Sequence, residues 1–176
     1  FFFTHTPAPA ILSGLVGSEM CIRDRYYGYQ EGGGLYDPDS SFIPFAGGEE
    51  GGAWNGPAQE WTGSAWDVNT SASSPWTSLE ATSMHPNDSN PGPEQYPIRR
   101  WVSNTSGLHT IAGSFHNLSA SGDGTTGRIF HEGNEIFSRL TDGGPSDFSI
   151  VRNLNPGDRL DSVSYTHLTL PTNREV

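Results

Sequence analysis

The chain has 176 residues, with nine basic residues, all arginine, against 20 acidic ones, and a net charge of −11 with neutral histidine. Such a charge repels a phosphate backbone and an anionic bilayer surface, which argues against nucleic acid and lipid headgroups as partners. A single cysteine, Cys21, forbids an intrachain disulfide. No apolar run approaches about 18 residues, so no membrane insertion is expected.

The first ten residues, FFFTHTPAPA, carry no lysine or arginine, and Ser13 and Gly14 break the apolar run that follows. The pattern of a secretory signal is therefore incomplete. Residues 14–24, GLVGSEMCIRD, back-translate into codons that resemble a transposase adaptor used to prepare sequencing libraries, and Arg25 is one of two residues that the adaptor's last bases permit. Residues 162–172, SVSYTHLTLPT, resemble the reverse complement of a companion adaptor. The resemblance implies that 1–25 and 162–176 are adaptor-derived and that 26–161 is a single domain cut at its C-terminus. Residues 1–25 are then expected to make few contacts with the rest. The cut is expected to leave an open strand edge and an uncovered apolar patch beside residues 159–161. SVSYTHL alternates and is β-prone, so it is expected to prolong the strand that begins at Arg159. Residues 26–161 alone keep the charge of −11 and contain neither lysine nor cysteine, a balance that suits a salty exterior.

Residues 26–96 read as the loop-rich part. Gly, Pro, Asn and Ser recur every few residues, as in GGEEGGAWNGP and NDSNPGPE, which excludes long helices. The aromatics Tyr26, Tyr27, Tyr29, Phe42, Phe45, Trp54, Trp61, Trp66 and Trp76 argue against disorder.

Residues 97–161 read as the strand-rich part. IRRWVS is a short strand and NTSG a turn. LHTIAGSFHNL alternates, with Leu108, Thr110, Ala112 and Ser114 on one face and His109, Ile111, Gly113 and Phe115 on the other. RIFH and EIFS flank Glu132, Gly133 and Asn134, which predicts a hairpin with a three-residue loop. DFSIV is a further strand. LNPGD predicts a tight turn in which Pro156 presets φ and Gly157 takes a positive φ. Short strands with a turn about every ten residues predict an all-β fold, an antiparallel β-sandwich or jelly roll. Its buried positions are expected to be Trp101, Ile111, Phe115, Ile129, Phe137, Phe148, Ile150 and Leu160.

The order HP, RRW, G, I.G.F, G.IF..G.EIF, F.I, L.PGD.LD is carried by residues from His85 to Asp161. It includes Arg99, Arg100, Trp101, Gly127, Phe130, Gly133, Pro156 and Gly157. This order resembles a β-sandwich module of secreted and surface proteins of planctomycete- and verrucomicrobia-type bacteria, including proteins with PEP-CTERM sorting signals. The resemblance is good over residues 84–161 and thin over 26–83, where YYGY resembles the module's start. It implies an extracellular or cell-surface location and, by analogy, a carbohydrate-associated role. The matching residues are turn glycines and core aromatics, which specify a fold and not a reaction.

No catalytic constellation emerges, and the chain does not read as an enzyme. Glu132 and Glu135 flank the predicted hairpin and are the nearest approach to a glycosidase pair, but carboxylates on an exposed turn are commonly just solvated. His85, His109, His116 and His131 lack the spacing of a zinc site. Asp37, Asp39, Asp88 and Asp123, in YDPDSS, NDSN and SGDG, are loop carboxylates of the kind that ligate calcium, though aspartate in turns also caps its own backbone. Trp54, Trp61, Trp66 and Trp76 could form an aromatic platform for polysaccharide or a cell-surface glycan, Trp54 and Trp61 above all. The alternative, that they pin a long strand-poor segment to the core, is the commoner use of such residues. Two functions remain open: a non-catalytic glycan-associated module, or a structural or adhesive domain with no ligand of its own.

Overall fold

A computed structural model describes residues 2–4, 25–32, 36–45, 62–69, 74–88, 92–118, 124–142 and 144–166. The fold is all-β, with twelve strands in three antiparallel sheets among the described residues. No described helix is long and apolar enough to cross a membrane.

The strands are β1 (Phe2–Thr4), β2 (Arg25–Glu31), β3 (Ile43–Pro44), β4 (Ala65–Asp67), β5 (Ser78–Glu80), β6 (Met84–His85), β7 (Gln95–Val102), β8 (Gly107–Phe115), β9 (Thr125–His131), β10 (Asn134–Thr141), β11 (Ser146–Leu154) and β12 (Arg159–Tyr165). The main sheet has the order β10-β9-β12-β7-β2-β3, and two smaller sheets run β1-β8-β11 and β4-β5-β6. Both small sheets cover one face of the main sheet. On that face Ile111 and Phe115 of β8 and Phe148 and Leu154 of β11 pack with Ile129 of β9 and Leu160 of β12. Trp101, Phe137 and Ile150 lie half-buried against this cluster. Phe115 sits so close over Gly127 that a Cβ there would meet its ring at 2.3 Å, which reserves the position for glycine. Beside it the β4-β5-β6 sheet rests on β2 and β7, where Trp66 stacks with Tyr27 at 6.2 Å and with Phe45 at 6.1 Å.

The opposite face of the main sheet is also buried. Alternation places Tyr96 and Ile98 of β7, Phe130 of β9, and Val163 and Tyr165 of β12 together there, under Tyr36 and Phe42 of the 36–45 segment.

Several expectations hold. In β8, His109, Ile111 and Phe115 are buried while Leu108 is exposed. Asn155 to Asp158 form a turn closed by Asp158 N–H donating to Asn155 O at 3.1 Å, with Gly157 at φ 95°. This is the type II pattern, with Pro156 at its first central position. Other expectations are corrected. The 131–134 hairpin has a two-residue loop: Asn134 pairs with His131, and Glu132 and Gly133 both take positive φ, 48° and 77°. That is the type I′ requirement, whose twist matches the flanking strands. The loop-rich part contributes β2 to β6, and β7 already begins at Gln95, so Pro97 lies inside a strand. The ladder between β7 and β12 stops at Ile98, one residue short of Pro97, which has no N–H to donate.

No open edge lies beside residues 159–161. β12 pairs with β7 on one side and β9 on the other, and Leu160 and Asp161 are both 1 % exposed. The strand runs on through Tyr165, as its alternation predicts, and Leu168 lies outside the described residues. Of residues 1–25 only 2–4 and 25 are described. Arg25 pairs with Trp101, and Phe2–Thr4 pairs with β8, whose edge backbone groups can accept a further strand.

Candidate functional site

A cleft of about 840 Å³ opens between the two small sheets, within the range of ligand pockets, about 300–1,000 Å³. Arg99 of β7 and Ser164 of β12 contribute from the main sheet. One wall comes from β5, β6 and the turn between them, including Glu80, Thr82 and His85. The other comes from the end of β8, with Phe115, His116 and Leu118. Leu118 is 80 % exposed at this mouth.

The charges around the cleft are unevenly satisfied. Ser83 Oγ donates to a Glu80 carboxylate oxygen at 2.8 Å, while Arg99 Nη2 donates to the Glu80 backbone oxygen at 2.6 Å. Arg99 is buried and its Nε has no hydrogen-bond partner. Burial is the main cause that holds the Arg99 pKa below the usual arginine value; Tyr27 opposes this and Arg25 adds to it.

On the other face Arg100 is satisfied by the chain itself. Its Nε and Nη2 donate to the two Asp161 carboxylate oxygens at 2.8 and 3.0 Å, and Nη2 also donates to Pro38 O at 2.8 Å. The Tyr36 hydroxyl donates to Asp161, and the guanidinium lies 4.0 Å from the Phe42 ring centroid. Burial alone would lower the Arg100 pKa, but Asp161 and Tyr36 together outweigh it and the value is raised. Burial, followed by the charge of Asp161, raises that of Tyr36.

The candidate carboxylates are engaged internally. Glu132 binds Arg159 through Nη2 at 2.8 Å, and that hydrogen bonding holds its pKa below the usual carboxylate range. Glu135 pairs with a different arginine, Arg128, at 3.4 Å. A carboxyl held low is poorly suited to donate a proton as a glycosidase acid must. Asp37 caps its own turn, accepting from Asp39 N–H at 3.0 Å and Ser40 Oγ at 2.7 Å, and Asp39 pairs with Arg159. Asp88 is exposed, and Asp123 lies outside the described residues. Among the described residues no group of three His, Cys, Asp or Glu side chains could hold a metal.

The histidines divide. His109 Nδ1 donates to Gly107 O at 2.9 Å, and Nε2 lies 2.9 Å from Thr105 Oγ1, so both ring nitrogens of this buried residue are partnered within the chain. His131 lies 3.2 Å from an Asp158 oxygen. His85 and His116 are exposed and both line the cleft. Among the tryptophans, Trp66 is half-buried in its aromatic stack and Trp76 is 47 % exposed. Trp54 and Trp61 lie outside the described residues. The cleft itself was not legible in the sequence, because its lining comes from segments about 90 residues apart whose meeting depends on how the sheets stack. No family model, no curated protein and no solved structure matches the chain.

Proposed function

We propose that this chain is a non-catalytic, glycan-associated module of a secreted or cell-surface bacterial protein, built on an antiparallel, jelly-roll-like β-sandwich. The observation that carries this reading is the cleft lining, which brings the hydroxyl side chains of Ser78, Thr82 and Thr125 and the imidazoles of His85 and His116 together with the exposed side chain of Leu118. A sugar presents the complement, hydroxyls that need hydrogen bonds and C–H groups that lie against an apolar side chain. Stacking of two sheets on one apolar cluster supports the sandwich reading. The acidic, lysine-free composition supports the exterior location. The runner-up, a structural or adhesive domain with no ligand, is favoured by Trp66, whose ring packs between Tyr27 and Phe45 and not beside a groove.

Calorimetric titration with soluble neutral and acidic polysaccharides tests the reading. Wild type is expected to bind at least one of them without releasing reducing ends. The His85→Ala/His116→Ala variant, which alters two exposed side chains, is expected to bind about tenfold more weakly or worse. Binding that survives this variant but is lost in Trp76→Ala moves the site to the tryptophans. Absence of binding to any polysaccharide leaves the structural domain.

A further inference from the structure

We infer that the cleft selects a saccharide bearing a carboxylate, a uronate unit, and that Arg99 is the residue that recognises it; this rests on the saccharide reading given above. Arg99 is 7 % exposed and lies among the cleft-lining residues. Among the described residues no carboxylate forms an ion pair with it. Its one hydrogen bond goes to a backbone oxygen, and its buried Nε donor is unfilled. The neighbouring Ser162, its register partner on β12, also has a buried hydroxyl without a hydrogen-bond partner. Glu80 meets Arg99 through its backbone oxygen, and its carboxylate accepts from Ser83 Oγ.

A guanidinium buried in this way carries an unmet cost, since an unfilled donor on a charged group loses the hydration it had in water. A carboxylate supplies the missing partner, because its two oxygens match the planar donor fork. Exposed His85 and His116 at the walls provide further donors for the sugar hydroxyls. The net charge of −11 bears on the choice of anion. At a distance the molecule repels a densely charged polymer, whereas a sparsely charged sugar chain meets little repulsion until one carboxylate reaches Arg99. Screening over about 10 Å at 0.1 M salt leaves that contact intact. A uronate-containing oligosaccharide therefore fits better than a heavily sulfated one.

The test titrates the full chain with two oligosaccharides of equal length and linkage, one carrying a single uronate unit among neutral sugars and one in which that carboxylate has been reduced to a primary alcohol. Wild type is expected to prefer the uronate form by about tenfold or more, the scale of one charge-assisted hydrogen-bonded contact. Arg99→Met is expected to bind both forms equally. The Arg99 Nε–H resonance in wild type gives a readout that needs no variant, and it is expected to shift with the uronate form and to stay in place with the reduced form. Equal binding of the two forms by wild type overturns the inference and leaves the saccharide reading standing. Binding of neither form overturns both. A uronate preference that persists in folded Arg99→Met, with a stationary Nε–H signal, assigns the carboxylate to another residue and overturns the role of Arg99.

Discussion

The two faces of β7 carry neighbouring arginines with opposite fates. Arg99 and Arg100 are similarly buried, at 7 % and 8 % exposure. Arg100 points under the 36–45 segment, where Asp161, Pro38 and Phe42 satisfy it from two other parts of the chain. Arg99 points toward the small sheets and receives one backbone oxygen. The difference separates a cation that fastens the fold from one left available to a ligand. Burial alone does not distinguish them; the presence of a counter-charge does.

Breaking the satisfied side has the largest expected effect. Asp161→Asn leaves Arg100 buried without its counter-charge and is expected to cost about 3–5 kcal/mol in urea unfolding. Arg100→Met/Asp161→Leu, which removes both charges, should recover much of that loss. A cost below about 1 kcal/mol for Asp161→Asn would show that water reaches the pair, and the contrast between the faces would collapse.

The other side of β7 predicts a smaller change. Arg99→Met removes an unpaired buried cation while keeping an unbranched side chain, so stability should change by no more than about 1 kcal/mol in the same assay. A loss as large as that of Asp161→Asn would make Arg99 a fastening residue too.

The smallest effect belongs to the exposed Arg159–Glu132 pair, which ties the type I′ hairpin to β12. Hydrogen bonding from Arg159 leads the causes that lower the Glu132 pKa. A carboxyl with a lowered folded value gives its full contribution above the unfolded value, about 4.3. That contribution is lost as pH falls through the lower folded value. Solvent screening keeps it within about 1 kcal/mol. Urea midpoints of wild type and Glu132→Gln at neutral pH should differ by no more than this, converge as pH falls below the folded value, and draw together in high salt.

The loop-rich and strand-rich parts show how far local pattern reaches. In β8 the alternation by itself separated buried His109, Ile111 and Phe115 from exposed Leu108, because side chains on a strand change face at every residue. Pro156 and Gly157 likewise specified their turn through their own φ restrictions. The 131–134 hairpin exceeded that reach: Glu132 is not a residue that announces a positive φ, and the pairing of Asn134 with His131 forced it. β2 was hidden for a similar reason, since Tyr26 to Gln30 sit among glycines and become a strand through pairing with β7 about 70 residues later.

By itself the sequence determined an all-β chain without long helices, a strongly acidic surface, and the alternation that lets β12 run on through Tyr165. The tertiary structure decided which strands meet. It placed β12 in the middle of the main sheet, brought Asp161 to Arg100 across 61 residues, and set the β5–β6 turn opposite the end of β8 to form the cleft. Side-chain period is a property of a few consecutive residues and can be read locally. Counter-charges and cleft walls are supplied by distant segments, and their positions follow from sheet register and stacking, which no short stretch encodes.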